Sequence, residues 1–234
     1  VLRIGSLFSG IGGLDLGLER SGLGKVIWNA EILPRCRKIL KKHWPEAKQF
    51  INIKEVTKES ADSVDLLCGG FPCQDISRAG KQEGIAGSKS KLWKEYYRVI
   101  QELRPKLVII ENVSDLIRLG LADILQDLAQ IGYDAQWSCL SACTVGHTHT
   151  RERMFIIAYS YEDGESALRI DEALSRMQEI SNDIRNEYQN SPLDLRVFDG
   201  IPKRLDRSRL EMCGNAVVVQ CAELIGRALK EAGF

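Results

Sequence analysis

The run Leu2-Arg3-Ile4-Gly5-Ser6-Leu7-Phe8 ends in a glycine-rich turn, Ser9 to Gly13, and a helical pattern from about Leu14 to Arg20 begins directly after it. A strand that empties through such a turn into a helix opens a nucleotide-binding α/β unit, because glycines let the backbone approach a ligand closely. A plain tight turn is the bland alternative. Val26 to Ala30 reads as the second strand and ends at Glu31. An acidic residue at such a strand end, about 20 residues beyond the turn, typically binds ribose hydroxyls. Taken alone, these features suit either a dinucleotide or S-adenosylmethionine.

The alternation continues along the chain. Pro34 opens a basic helix that runs to about Trp44, and Val64 to Cys68 is a short apolar strand. Helices over about Leu92 to Leu103 and Leu121 to Ile131 flank a strand at Leu107 to Glu111. Ala135 to Ala142 and Met154 to Tyr159 read as a closing antiparallel pair. This order predicts an α/β fold with a mostly parallel sheet and helices on both faces. In such sheets ligands bind at the carboxyl ends of strands, near the switch in strand order.

Residues 161–201 differ. Ile170, Leu174, Met177, Ile180, Ile184 and Tyr188 step by three and four, which predicts an amphipathic helix, acidic in its first stretch. Gly214 to Leu229 is apolar and rich in small residues, and reads as a helix returning to the main unit. The expected division is a main unit over 1–160, a short insertion over 161–204 and a return segment over 205–234.

With 44% hydrophobic and 27% charged residues, the 234-residue chain has the composition of a globular protein with a real core. No apolar run reaches membrane-spanning length, so no membrane partner is expected. No basic-then-apolar signal peptide opens the sequence. It starts at Val1, without Met and inside a strand, and is expected to be less than a complete translated product. The seven cysteines form no regular framework, which argues for a reducing, cytoplasmic setting. Lys plus Arg and Asp plus Glu both total 32, so the chain is not basic overall. It is basic locally: Arg78, Lys81, Lys89, Lys91 and Lys94 stand against Glu83, and Lys203, Arg204, Arg207 and Arg209 against Asp206. Phosphate contacts need only such patches, although a solvated charged face has the same composition.

The most specific signal is Gly69-Gly70-Phe71-Pro72-Cys73-Gln74, directly after a buried strand. A thiolate is the reactive form of cysteine, and nearby positive charge favours it. Packing in a core is the usual fate of cysteine and suits Cys68; it suits Cys73, in a loop set by Gly and Pro, poorly. Glu111-Asn112-Val113 ends the strand that starts at Leu107. Partial burial there would raise the Glu111 carboxyl and let it donate a proton; capping the next helix is the ordinary alternative. Arg151 and Arg153 alternate with Glu152, so both can point to one face, where Arg suits base edges and phosphates; a salt-bridge pair on an edge strand is the bland alternative. Cys139, Cys143, His147 and His149 are of types that zinc takes, but Cys139 sits in a strand with alternating apolar neighbours, and no metal is expected.

Together the stretches Phe8-Ser9-Gly10-Ile11-Gly12-Gly13, Pro72-Cys73-Gln74, Glu111-Asn112-Val113, Arg151-Glu152-Arg153 and Gly214-Asn215-Ala216-Val217 resemble, in order and spacing, the cytosine-5 DNA methyltransferase family. The resemblance covers 1–160 and about 205–234. It implies a class I S-adenosylmethionine-dependent methyltransferase fold, Rossmann-like, with a small recognition insertion. It implies S-adenosylmethionine as cofactor, S-adenosylhomocysteine as product and duplex DNA as partner, with a monomer expected. A bacterial or phage origin, in restriction-modification or as a solitary protective enzyme, is also what it implies.

The resemblance further implies that Phe8 lies against the adenine, with the backbone from Gly10 through Gly12 to Gly13 beside the methionine part and Ser9 also in the cofactor site. Glu31 would hold the ribose hydroxyls, with Gly70 and Pro72 also in the cofactor site. Cys73 would be the nucleophile, Glu111 and Arg153 would hold the cytosine, Arg151 would belong to the same catalytic set, and Asn215 would shape the pocket. Separately, the loop from about Arg78 to Lys91 is glycine-bearing and basic, and from that composition it is expected to close over the flipped base. Asn52 stands where the family usually has Asp against the adenine amine, and His149 where it usually has Gln. The recognition region is short for the family. The same chemistry on tRNA, or a non-catalytic DNA-binding or regulatory role, are the alternatives.

Overall fold

The computed structural model describes residues 1–72, 90–161, 164–189 and 216–234. A seven-stranded sheet of order β3-β2-β1-β4-β5-β7-β6 runs through them. The strands are β1 (Leu2–Leu7), β2 (Gly24–Ala30), β3 (Lys48–Phe50), β4 (Leu66–Gly69), β5 (Leu107–Val113), β6 (Tyr133–Ser141) and β7 (Glu152–Ser160). The first five pair in parallel, while β7 is antiparallel to both β5 and β6. This is the α/β architecture read from the sequence, with the antiparallel pair at one edge. Strand β3 is additional: three residues with one buried side chain carry no usable period.

The helices are α1 (Gly13–Arg20), α2 (Pro34–His43), α3 (Ser90–Leu103), α4 (Leu116–Leu119), α5 (Leu121–Gln130), α6 (Ser166–Gln189) and α7 (Val219–Glu231). Central strands are covered on both faces, so they read as continuous apolar runs rather than as half-polar ones. The period of two still sorts the side chains. Leu66, Cys68, Leu107, Ile109, Phe155 and Ile157 enter the core beneath α1, α6 and α7. Their neighbours Leu67, Val108, Ile110, Ile156 and Ala158 enter the opposite core, with α3 and α5. Each such fully buried Leu or Ile contributes about 1.5–3 kcal/mol relative to exposure.

Helix α6 is the amphipathic helix expected at the start of the insertion. Its buried stripe, Ile170, Ala173, Met177, Ile180 and Ile184, belongs to the same core as α1 and α7. Arg227 of α7 fastens it through Glu187, with nitrogen–oxygen distances of 2.8 and 2.6 Å. Thus α6, which lies in the expected insertion, is packed onto the main unit.

Strand order reverses between β1 and β4: from β1 the chain steps outward to β2 and β3, then returns to β4 on the other side. The carboxyl ends of β1, β2, β4 and β5 therefore meet around one crevice.

Candidate active site

The crevice holds a cavity of about 940 Å³. Its lining includes Phe8, Ser9, Gly10, Gly13, Glu31, Asn52, Gly70, Pro72, Glu111, Arg151 and Arg153. Residues scattered over much of the sequence thus converge: most follow the carboxyl ends of parallel strands, Glu111 lies near the carboxyl end of β5, and Arg151 and Arg153 lie at the start of the antiparallel β7 beside it. Gly12 stands behind the wall instead. Its φ of 83° lies in the left-handed region, and a Cβ there would run into the Trp44 ring. Cys73 and Asn215, with the loop 78–89, the second basic run (203–209) and Gly214, lie outside the described residues.

At the end of β1, Phe8 has φ 51°, a conformation costly for a residue with a Cβ. Such strain persists where the surroundings enforce it and concentrates at functional sites. The half-buried Phe8 ring packs on Tyr96 of α3 with centroids 6.2 Å apart. The glycine turn is tied to the end of β2 by Glu31: Gly10 N–H donates to Oε2 and Leu33 N–H to Oε1, both at 2.8 Å. A carboxylate oxygen has two acceptor sites, so each retains one. Around Glu31 the wall is apolar, from Ile32, Leu33 and Ile51, all exposed at the mouth. Asn52 caps a short 3-10 turn by accepting Lys54 N–H at 3.0 Å.

The other end of the cavity carries the charges. Glu111 is 8% exposed, and its Oε1 lies 3.1 Å from Arg153 Nε. Arg153 pairs across the ladder with Val113, which makes it a diagonal neighbour of Glu111 within reach of a long side chain. Burial pushes the Glu111 carboxyl above its ordinary range; Arg153 first and then Arg151 oppose this. Arg151 is pushed down by burial and by the like charge of Arg153. Glu152, between them, points to solvent, so the alternation read from the sequence holds.

Gly70 and Asn112 bring the Pro72 segment to this pair. A Cβ on Gly70 would collide with Glu111 Oε2. The Asn112 amide donates to the Phe71 carbonyl at 3.2 Å. Among the described residues no group of His, Cys, Asp and Glu is arranged to hold a metal; Cys143 contacts the His149 carbonyl instead, at 3.2 Å.

Sequence reasoning missed Asp15, which lines the cavity and is fully buried. Its signal was present: it shares the inward face of α1 with Leu14 and Leu18. Lys91 and Lys94 of α3 also line the cavity, as part of the basic run.

The profile of the family described as C-5 cytosine-specific DNA methylase matches residues 2–196. The chain is 35% identical over 175 residues to the Type II methyltransferase M2.BsuMI of Bacillus subtilis (strain 168), covering 71% of this chain and 44% of that protein. It is 30% identical over 207 residues to the Type II methyltransferase M.HgiBI of Herpetosiphon aurantiacus, covering 84% of this chain and 47% of that one. It therefore spans less than half the length of these curated relatives. Among solved structures, the Entamoeba histolytica methyltransferase EhMeth superposes with a TM-score of 0.59 at 25% identity, over 68% of this chain and 52% of that one. The S. pombe Dnmt2 methyltransferase shares the fold, with a TM-score of 0.56 at 22% identity over 68% of this chain and 51% of that one. The matched span runs from the first strand past the Arg151-Glu152-Arg153 strand, and the chain belongs to the C-5 cytosine-specific DNA methylase family.

Proposed function

We propose that this chain is the catalytic unit of an enzyme that methylates C5 of cytosine in duplex DNA with S-adenosylmethionine. The observation that carries the reading is the buried Glu111–Arg153 pair, which lies in the same cavity as the glycine turn, Glu31 and Pro72. The residues present fit the cofactor. Gly10 would present open space to a Cβ, Glu31 retains acceptor sites, and Ile32, Leu33 and Ile51 offer apolar contact to a base. Bound there, the cofactor supplies an activated methyl group.

Cytosine C5 is a poor nucleophile. In the proposed mechanism the Cys73 thiolate adds to C6, which makes a new S–C6 bond and moves the ring electrons toward C5. Glu111 donates a proton or hydrogen bond at N3, where negative charge develops. Arg153 orients Glu111, and Arg151 adds positive charge beside the ring. C5 would take the methyl group as the cofactor's S–CH3 bond breaks and S-adenosylhomocysteine is left; loss of the C5 proton to water then re-forms the C5–C6 double bond, breaks the S–C6 bond and releases the thiolate. The target base must leave the duplex to reach this site. Lys91 and Lys94 at the mouth suit the flanking phosphates. Because α6 is part of the core, the recognition segment is assigned to the stretch between α6 and α7.

The test is transfer of labelled methyl from S-adenosylmethionine to unmethylated duplex DNA and, in parallel, to unmodified tRNA, with Cys73→Ser as control. Label at cytosine C5 of DNA, abolished in the variant, is the expected result. Label in tRNA alone would move the substrate to RNA. No label, with no binding of S-adenosylhomocysteine, would support a non-catalytic role.

A further inference from the structure

Beneath the glycine turn lies a polar row that the proposed mechanism does not use. Ser6 of β1 is in register with Asn29 of β2 and Cys68 of β4, so the three side chains share one face of the sheet. Asp15 of α1 sits over them. Ser6 Oγ donates to Asp15 Oδ1 at 2.6 Å, and Ser9 Oγ lies 2.8 Å from Ser6 Oγ. Since the Ser6 proton goes to Asp15, Ser9 is the donor to Ser6. The hydroxyls form a chain from Ser9, on the cavity wall, down to the carboxylate. Asp15 Oδ2 and both polar atoms of the Asn29 amide are buried without a hydrogen-bond partner among the described residues.

A buried carboxylate with a free oxygen is costly unless a cation or donor reaches it. Asp15, Ser6, Ser9 and Gly13 line the same cavity as Ala216 and Val217, and the Ser9–Ser6–Asp15 row runs directly under the glycine turn. A ligand with a nucleoside beside Glu31 and an amino-acid tail along the turn brings its α-ammonium over this row. We propose that Asp15 is the acidic partner of the cofactor's α-ammonium, contacted directly or through one water held by the Ser6–Ser9 chain. The assignment rests on the cofactor reading above.

Burial raises Asp15 from 3.8 to about 7. The groups facing it are Ser6 and the Cys68 thiol, which lower it, and Glu19 on its own helix, which raises it. On α7, Glu223 is already engaged by Arg227 and Tyr188. An ammonium favours ionised Asp15, so binding below about pH 7 expels a proton, and affinity rises with pH through that region.

The test is calorimetry of S-adenosylhomocysteine, which has the ammonium, and of 5′-methylthioadenosine, which lacks the amino-acid tail. Both are titrated between about pH 5.5 and 8 in buffers of different ionisation enthalpy. For the wild type, S-adenosylhomocysteine should tighten toward high pH with proton release, while methylthioadenosine stays flat. Asp15→Asn should weaken S-adenosylhomocysteine by about ten-fold or more at high pH and remove its pH slope, leaving methylthioadenosine within about two-fold. A wild-type slope common to both ligands, or equal losses of both in the variant, would overturn the proposal and make Asp15 a packing residue. Binding of neither ligand by the wild type would overturn the cofactor reading itself.

Discussion

The Asn112 amide donates to the Phe71 carbonyl at 3.2 Å, which fastens the segment leading into Pro72 and Cys73 to the strand end that carries Glu111. Asn112 Oδ1 also accepts Val113 N–H at 2.9 Å, so both ends of the amide are engaged. Asn112→Ala leaves a buried carbonyl unpaired, at a cost of about 1–3 kcal/mol. Single-turnover methyl transfer is expected to fall by about ten-fold or more, while calorimetric affinity for S-adenosylhomocysteine changes little. An unchanged rate would separate Asn112 from the placement of the nucleophile.

Glu111 is held above its ordinary range by burial, against the opposing charge of Arg153. If Glu111 acts as a proton donor, the rate falls as pH rises through its folded value. Arg153→Ala removes the largest opposing influence. The maximal rate should drop by roughly 100-fold, and the falling limb of the single-turnover pH profile should move to higher pH. A limb that stays in place would assign it to another group.

Glu31 accepts two backbone N–H groups, one from the glycine turn and one at the start of α2. Glu31→Gln sets an amide N–H against one of these donors. A loss of about ten-fold or more in S-adenosylhomocysteine affinity and a lower melting temperature are expected together. A drop in affinity without a change in melting temperature would mean that Glu31 serves the ligand alone.

Asp15 titrates at about 7 in the folded chain, against 3.8 as the ordinary value. Below about pH 4 both folded and unfolded chains hold the proton, so its contribution to folding is at its best; it declines as pH rises toward 7 and then levels. Asp15→Asn should therefore melt close to the wild type at about pH 4 and increasingly above it toward about pH 8, without ligand. A constant difference across this range would contradict the burial of an ionising carboxyl.

The order of strands and helices was legible because a parallel sheet leaves apolar runs separated by glycine and proline punctuation. Leu66 to Gly69 and Leu107 to Ile110 are such runs. Strand β3 left no trace, since only Phe50 of its three residues is buried. The period of α6 was legible, but its place was not. Ile170 to Ile184 make an apolar stripe whether they face an insertion's own core or the core of α1 and α7, and only packing selects the second.

The same division holds at the site. Residue types and their order singled out Phe8, Glu31, Glu111, Arg151 and Arg153, because chemistry next to a strand end needs particular side chains and the motif order carries the family. What they touch was decided in three dimensions. The strand-order switch, the antiparallel β7 and the register of β1 with β2 and β4 bring distant residues together. Those contacts set the burial of Glu111, turn Glu31 back onto Gly10 and make Asp15 a buried acid. Sequence fixes which groups a chain owns, but desolvation and pairing, which set their charge and reactivity, depend on neighbours that only the folded chain supplies.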